Sequence, residues 1–186
     1  MKKTVFLLSL LVGTSLIAQS TWKADNAHSK VGFAITHLLI SEVEGNFDEF
    51  EITATADDTF MTPSFDVSIN TASIDTDNER RDGHLKSADF FDVESNPSIT
   101  FKTTSVEKTG DKTFNMTGDL TMHGITKSVT LEGKVNGVIT DQRSQKLKAG
   151  LKITGTINRI DFGVGGESAA IGNDVEFTIN LEMAQQ

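Results

Sequence analysis

No cysteine occurs anywhere in the 186 residues. Disulfides, thiol chemistry and a lipid-modified N-terminal cysteine are therefore excluded, and the fold must be held by its core. Tyrosine is also missing, and Trp22 is the single tryptophan. A membrane-spanning barrel carries aromatic girdles at both interfaces, so this composition argues against one. Basic residues are scarce, with 17 lysines and arginines against 26 aspartates and glutamates. That balance disfavours nucleic acid and anionic membrane surfaces as partners.

One apolar run stands out, from Val5 to about Ile17 in "MKKTVFLLSLLVGTSLIAQS". It follows two lysines, gives way to small and polar residues near Ala18, and is shorter than the ~20 residues a membrane span needs. This is the layout of a cleavable secretory signal. Residues 1–18 are expected to be the leader and residues 19–186 a single exported, periplasmic domain without stable membrane insertion. Loss of Lys2 and Lys3 with the leader leaves 15 basic residues against 26 acidic ones, about −11.

The rest of the chain alternates apolar and polar residues. In "SKVGFAITH", Val31, Phe33 and Ile35 fall on odd positions, and His37 extends that face. A period of two marks a half-buried strand. The odd phase returns at Phe65, Val67 and Ile69, at Ile99 and Phe101, at Val129, Leu131 and Val135, at Leu151, Ile153 and Ile157, and from Val175 through Phe177 to Leu181. At Phe114, Met116, Leu120 and Met122 the phase is even. Between Phe47 and Phe50 the phase switches, which predicts a β-bulge near Asp48 and Glu49. Trp22 reads as lying outside the strands.

Turn signals at 109–112, 123–126 and 140–146 are short and favour antiparallel neighbours. About eight strands are expected, forming an all-β barrel or sandwich. Only residues 75–97 are long and charged enough for a helix, with Asp77 or Asn78 as its N-cap. An eight-stranded barrel is wide enough either to be filled by side chains or to hold one slender ligand. Alternation marks the inward face, but it does not distinguish a filled core from a cavity wall.

The chemistry-bearing residues are thin. His28, His37, His84 and His123 show no metal-ligand spacing, so no metal is expected. No nucleophile elbow occurs, and the glycine-rich "GVGGESAAIG" lies between strands rather than at a helix start, which makes it a loop. No catalytic residue is assigned. In "RRDGHLKSADFF", Leu85, Ala88, Phe90 and Phe91 can lay an apolar edge on the barrel, while Arg80, Arg81, Asp82 and Lys86 face water or pair locally.

Five stretches carry a resemblance: "DNAHSKVGFAITHL", "VEGNFDEFE", "SINTASIDTDNERRDGHLKSADFFDVESNPSITF", "GDLTMHGITKSVTL" and "INRIDFGVGG". In this order and spacing the chain resembles the YceI-like family of bacterial periplasmic proteins. The resemblance implies a lipocalin-like, eight-stranded antiparallel β-barrel with a short helical lid. Its hydrophobic cavity would bind a polyisoprenoid or a fatty-acid-like lipid, with no other cofactor.

The implied wall comprises Phe33, Ile35 and His37, then Phe65, Val67 and Ile69, then Phe101, Met116, Leu120 and Leu131, and finally Ile153 and Phe177. The implied lid and mouth comprise Arg81, Asp82, His84, Leu85, Phe90 and Phe91. A carrier that sequesters lipid is the expected function, and a homodimer is compatible with the sequence. An enzyme using His37 or His84 on a lipid-like substrate, and a ligand-free structural barrel linked to stress, are the competing readings.

Overall fold

The computed structural model describes residues 19–186; the expected leader over residues 1–18 lies outside the described residues. The chain runs through β1 (Ser20–Ala24), β2 (Lys30–His37), β3 (Ser41–Phe47), β4 (Phe50–Ala56), β5 (Ser64–Asn70) and the two-residue β6 (Ile74–Asp75). Helix α1 (Glu79–Lys86) follows, and then β7 (Ser98–Lys108), β8 (Thr113–Met122), β9 (Ile125–Thr140), β10 (Leu147–Asn158) and β11 (Ile171–Gln185).

These segments make eight barrel strands. A 3-10 turn at Asn26–His28 separates β1 from β2, yet both pair with β11. The phase switch at Asp48 and Glu49 separates β3 from β4, which pair with β2 and β1 respectively. The break has a physical cause: the backbone N–H of Asp48 leaves the ladder to donate to the Ser73 carbonyl at 3.1 Å, and that of Glu49 donates to Ser73 Oγ at 3.0 Å. Strand β6 continues β5 by pairing with β3. Sheet order then runs from β5 through β7, β8, β9 and β10 to β11, every pairing is antiparallel, and the β1–β11 pairing closes the ring. Closure removes the sheet edges that would otherwise seek partners.

The outer face is polar. Thr117 and Thr130 are linked hydroxyl to hydroxyl across β8 and β9 at 3.0 Å, and Thr121 and Thr126 at 2.8 Å. No helix among the described residues is long and apolar enough to cross a membrane.

One end of the barrel is plugged by the loop at 57–63. The Asp57 carboxylate accepts the Thr59 backbone N–H at 2.9 Å and its hydroxyl at 2.7 Å, and the Phe60 N–H donates to the Asp57 carbonyl at 3.1 Å. This tight turn drives Phe60 completely inside. Its ring meets Trp22 edge-on at 5.0 Å and Phe65 at 5.9 Å. Trp22 therefore corrects the sequence reading: it lies within β1, has no exposure, and donates Nε1–H to the Ala56 carbonyl at 3.3 Å. A five-residue strand with only Trp22 and Ala24 facing inward is too short for alternation to register. Phe114, Ala149, Leu151 and Met183 complete the plug. The Phe114 ring lies across Gly133, where a Cβ would collide with it.

Candidate functional site

Above the plug the barrel is hollow. The cavity has a volume of about 640 Å³, within the roughly 300–1,000 Å³ of small-molecule sites. Its floor includes Ile52, Phe65, Met116, Leu131 and Ile153. Phe33 and Ile35 on β2, with Val175, Phe177 and Ile179 on β11, are only partly buried because they face the empty space.

Each residue of the expected wall lines this space. Phe33, Ile35 and His37 do so from β2, and Phe65, Val67 and Ile69 from β5. Phe101, Met116, Leu120 and Leu131 do so from β7, β8 and β9, and Ile153 and Phe177 from β10 and β11. The pleat puts alternate side chains on one face, so a single phase per strand was enough to find them.

The mouth is covered by α1 and the turns after it. Asn78 caps the helix, its side-chain oxygen accepting the Arg81 N–H at 3.0 Å. Asp77 precedes it at φ 57°, a turn residue rather than the cap. Leu85, Phe90 and Phe91 pack on the core. Phe91 meets Phe47 edge-on at 5.9 Å, and Phe47 meets Phe33 at 5.7 Å, so the lid is joined to the wall by a chain of rings. Two backbone bonds fold the segment back, from the Phe91 N–H to Leu85 and from the Phe90 N–H to Ser87, each 3.0 Å.

Arg81, His84, Leu85, Phe90 and Phe91 all line the cavity, and Arg80 joins them. Asp82 does not. It turns inward under the helix and is buried, its carboxylate accepting the N–H of Thr76 at 3.0 Å and the Thr76 hydroxyl. The reason is local: Thr76 is itself buried, and its N–H and hydroxyl need acceptors. The same hydroxyl accepts from Arg81 Nε at 2.7 Å, and Arg81 Nη2 donates to the Thr76 carbonyl at 2.6 Å. Asp82 thus fixes Thr76, and Thr76 orients Arg81. His84 stays exposed, with Nε2 3.2 Å from Asp89 and its ring 4.9 Å from Phe90.

The most consequential wall residue to escape the sequence reading is a charged one. Arg159 lines the cavity although it is 3 % exposed. Its Nε donates to the Gly172 carbonyl at 2.9 Å, Nη1 to Val164 at 2.8 Å, and Nη2 to Gly166 at 3.0 Å and to Asn173 Oδ1 at 3.4 Å. Burial pulls its pKa below the ordinary arginine value, yet a guanidinium stays charged under any ordinary condition. The available signal was phase, since Arg159 continues the odd face of Ile153 and Ile157.

Beside the mouth, the β2–β3 turn exposes Leu38, Leu39 and Ile40. Elsewhere, Asp25, His28 and Glu182 bring possible ligand atoms within 4.8 Å of one another. His28 Nδ1 already lies 3.0 Å from Asp25, and Lys148 donates to Glu182 at 2.7 Å. The hydrogen bond to His28, foremost, holds the Asp25 carboxyl below its usual range. None of the three lines the cavity.

Comparison with known proteins agrees with this architecture. The YceI-like domain family matches residues 22–183. Protein YceI of Salmonella newport is 40 % identical over 194 residues, covering 100 % of both chains. The crystal structure of a Campylobacter jejuni YceI protein superposes with a TM-score of 0.76 at 34 % identity, over 87 % of this chain and 96 % of that one. A polyisoprenoid binding domain from Saccharophagus degradans shares the fold at a TM-score of 0.67 and 13 % identity, over 89 % of this chain and 98 % of that one. The plugged, eight-stranded barrel with its short helical lid belongs to the YceI-like domain family.

Proposed function

We propose that this chain is an exported, periplasmic binding protein that takes a long-chain isoprenoid or other amphiphilic lipid into its barrel and shields the chain from water without altering it. The observation that carries this reading is the closed-floored apolar cavity of about 640 Å³ with an aromatic lid. Hydrocarbon transferred from water to such a wall gains about 25 cal/mol per Å² buried, so a long chain supplies most of its own affinity. One chain provides the whole wall, and the reading therefore works for a monomer. The fold shared with a polyisoprenoid binding domain is consistent with it.

The lining also favours holding over catalysis. It contains His37 and His84 but no carboxylate and no serine, and the one carboxylate paired with His84, Asp89, is exposed and does not line the cavity.

Native mass spectrometry of protein purified from its own cell envelope tests the reading. Wild type is expected to carry an unmodified lipid. A Val175→Trp variant, which adds bulk to a partly exposed cavity position, is expected to fold and to lose it. Wild type that is empty on isolation and takes up nothing from a lipid extract would overturn the proposal.

A further inference from the structure

Every ionisable side chain that lines the cavity is basic: Arg80, Arg81, Arg159, His37 and His84. No carboxylate reaches it, in a chain with 26 acidic residues and 17 lysines and arginines. The ion pairs among the described residues are Lys23–Glu51, His28–Asp25, His84–Asp89, Lys127–Asp161 and Lys148–Glu182, and none involves an arginine.

Arg159 is the sharpest case, a buried cation held by three carbonyls and an amide oxygen. Those dipoles solvate the charge without cancelling it, and in a low-dielectric wall an uncompensated charge acts strongly on whatever enters. Arg81 is held by the hydroxyl and carbonyl of Thr76, with the Asp82 carboxylate behind that hydroxyl rather than in contact with the guanidinium. Two of its five N–H donors are used there, which leaves three for a ligand. Both arginines sit on the lid side. Arg81 belongs to α1, and a Cβ at Gly165 would touch both the Phe90 ring and Arg159 Nη1, at 2.7 and 2.9 Å.

We propose that the mouth is an anion site, and that the ligand is a single-chain amphiphile bound tail-down with an anionic oxygen head group, a carboxylate or a phosphate, at Arg81 and Arg159. This inference rests on the cavity holding a long-chain lipid, and it narrows that class away from neutral alcohols and quinones.

Delipidated protein offered matched probes tests it: palmitoleate against palmitoleyl alcohol, and farnesyl phosphate against farnesol, each by displacement of a fluorescent fatty acid. One added charge-assisted contact is worth about tenfold or more in affinity. At least one anion is expected to bind about tenfold or more tighter than its neutral partner. Preference in the first pair alone identifies a carboxylate ligand, and in the second alone a phosphate.

Arg81→Gln is expected to shrink the preference, read as the ratio of anion to alcohol affinity within the same variant, at least threefold on the same principle. Arg159→Met is expected to abolish the preference if circular dichroism shows it folded; if it does not fold, the Arg81→Gln arm decides. Alcohols that bind as tightly as the anions, or a preference untouched in Arg81→Gln, would overturn the anion site and leave the lipid cavity standing. Failure of all four probes would instead overturn the lipid reading itself.

Discussion

The rings of Trp22 and Phe60 meet edge to face, 5.0 Å apart at 83°, and together they close the floor of the barrel. Phe60 comes from the loop at 57–63 and Trp22 from β1, so this contact ties the first strand to the loop across the barrel end. Removing a buried aromatic ring costs about 3–5 kcal/mol. Phe60→Ala is expected to lower unfolding free energy by that much in a denaturant melt. A loss below about 1 kcal/mol would show that the floor does not depend on this ring.

The loop that delivers Phe60 is sensitive to acid. Burial pushes the Asp57 carboxyl upward, but hydrogen bonds from the Thr59 side chain and from the backbone of Thr59, Phe60 and Met61 outweigh it and hold its pKa below 3.8. A carboxyl depressed in the fold stabilises it above the unfolded pKa, and that contribution fades as pH falls through the folded one. Stability is therefore expected to decline below about pH 4. Asp57→Asn should flatten that part of the pH profile and cost about 1–2 kcal/mol at neutral pH. An unchanged acid limb in thermal melts would count against this role.

Gly45 is a steric requirement of the wall. A Cβ there would collide with the Phe33 ring, with the Thr76 methyl at 2.8 Å and with the Asp75 carbonyl at 2.9 Å. The ring can move; the backbone cannot. Gly45→Ala is expected to destabilise by about 1–3 kcal/mol, whereas Gly137→Ala, with nothing within 4 Å, should stay within about 0.5 kcal/mol of wild type. Equal melting temperatures for the two variants would contradict the packing described.

The β2–β3 turn is built from unsuitable residues. Leu38 and Leu39 have φ of 52° and 61°, and the Ile40 N–H closes the turn on the His37 carbonyl at 3.2 Å. Two positive φ values are what a type I′ turn needs and what Asn-Gly supplies most readily. A left-handed conformation costs a bulky residue roughly 1–2 kcal/mol. The double variant Leu38→Asn, Leu39→Gly is expected to raise the melting temperature by about 2–4 °C per kcal/mol recovered. A fall would mean that the exposed leucines contribute packing that this structure does not contain.

Alternation made the barrel legible because the pleat leaves a period of two in every long strand, and the wall from Phe33 to Phe177 was written in that period. Trp22 was hidden because two inward residues do not make a pattern. Asp82 was read as a mouth residue because it belongs to the motif that the resemblance covers; only the buried Thr76, brought close by folding, explains why it turns away. Arg159 was hidden for the opposite reason. Its burial depends on carbonyls of Val164, Gly166 and Gly172 that a loop folds back to supply, and nothing in an arginine just past the end of a strand announces that, even where its phase points inward. Nor does period alone say where inward side chains meet across the barrel and where they leave space.

The plug beneath the cavity leaves a single way in and out. With Trp22 and Phe60 sealing one end, whatever occupies the barrel enters and leaves past the same lid, and nothing can push it out from behind. A chain inserted tail-first must be withdrawn head-first. Residence time would then depend on the loosening of Leu85, Phe90 and Phe91 from the wall, and affinity on the length of chain below together with the head-group contacts at Arg81 and Arg159. For a chain held as proposed, how quickly it leaves and how tightly it is held would then depend on sets of residues that overlap only in part.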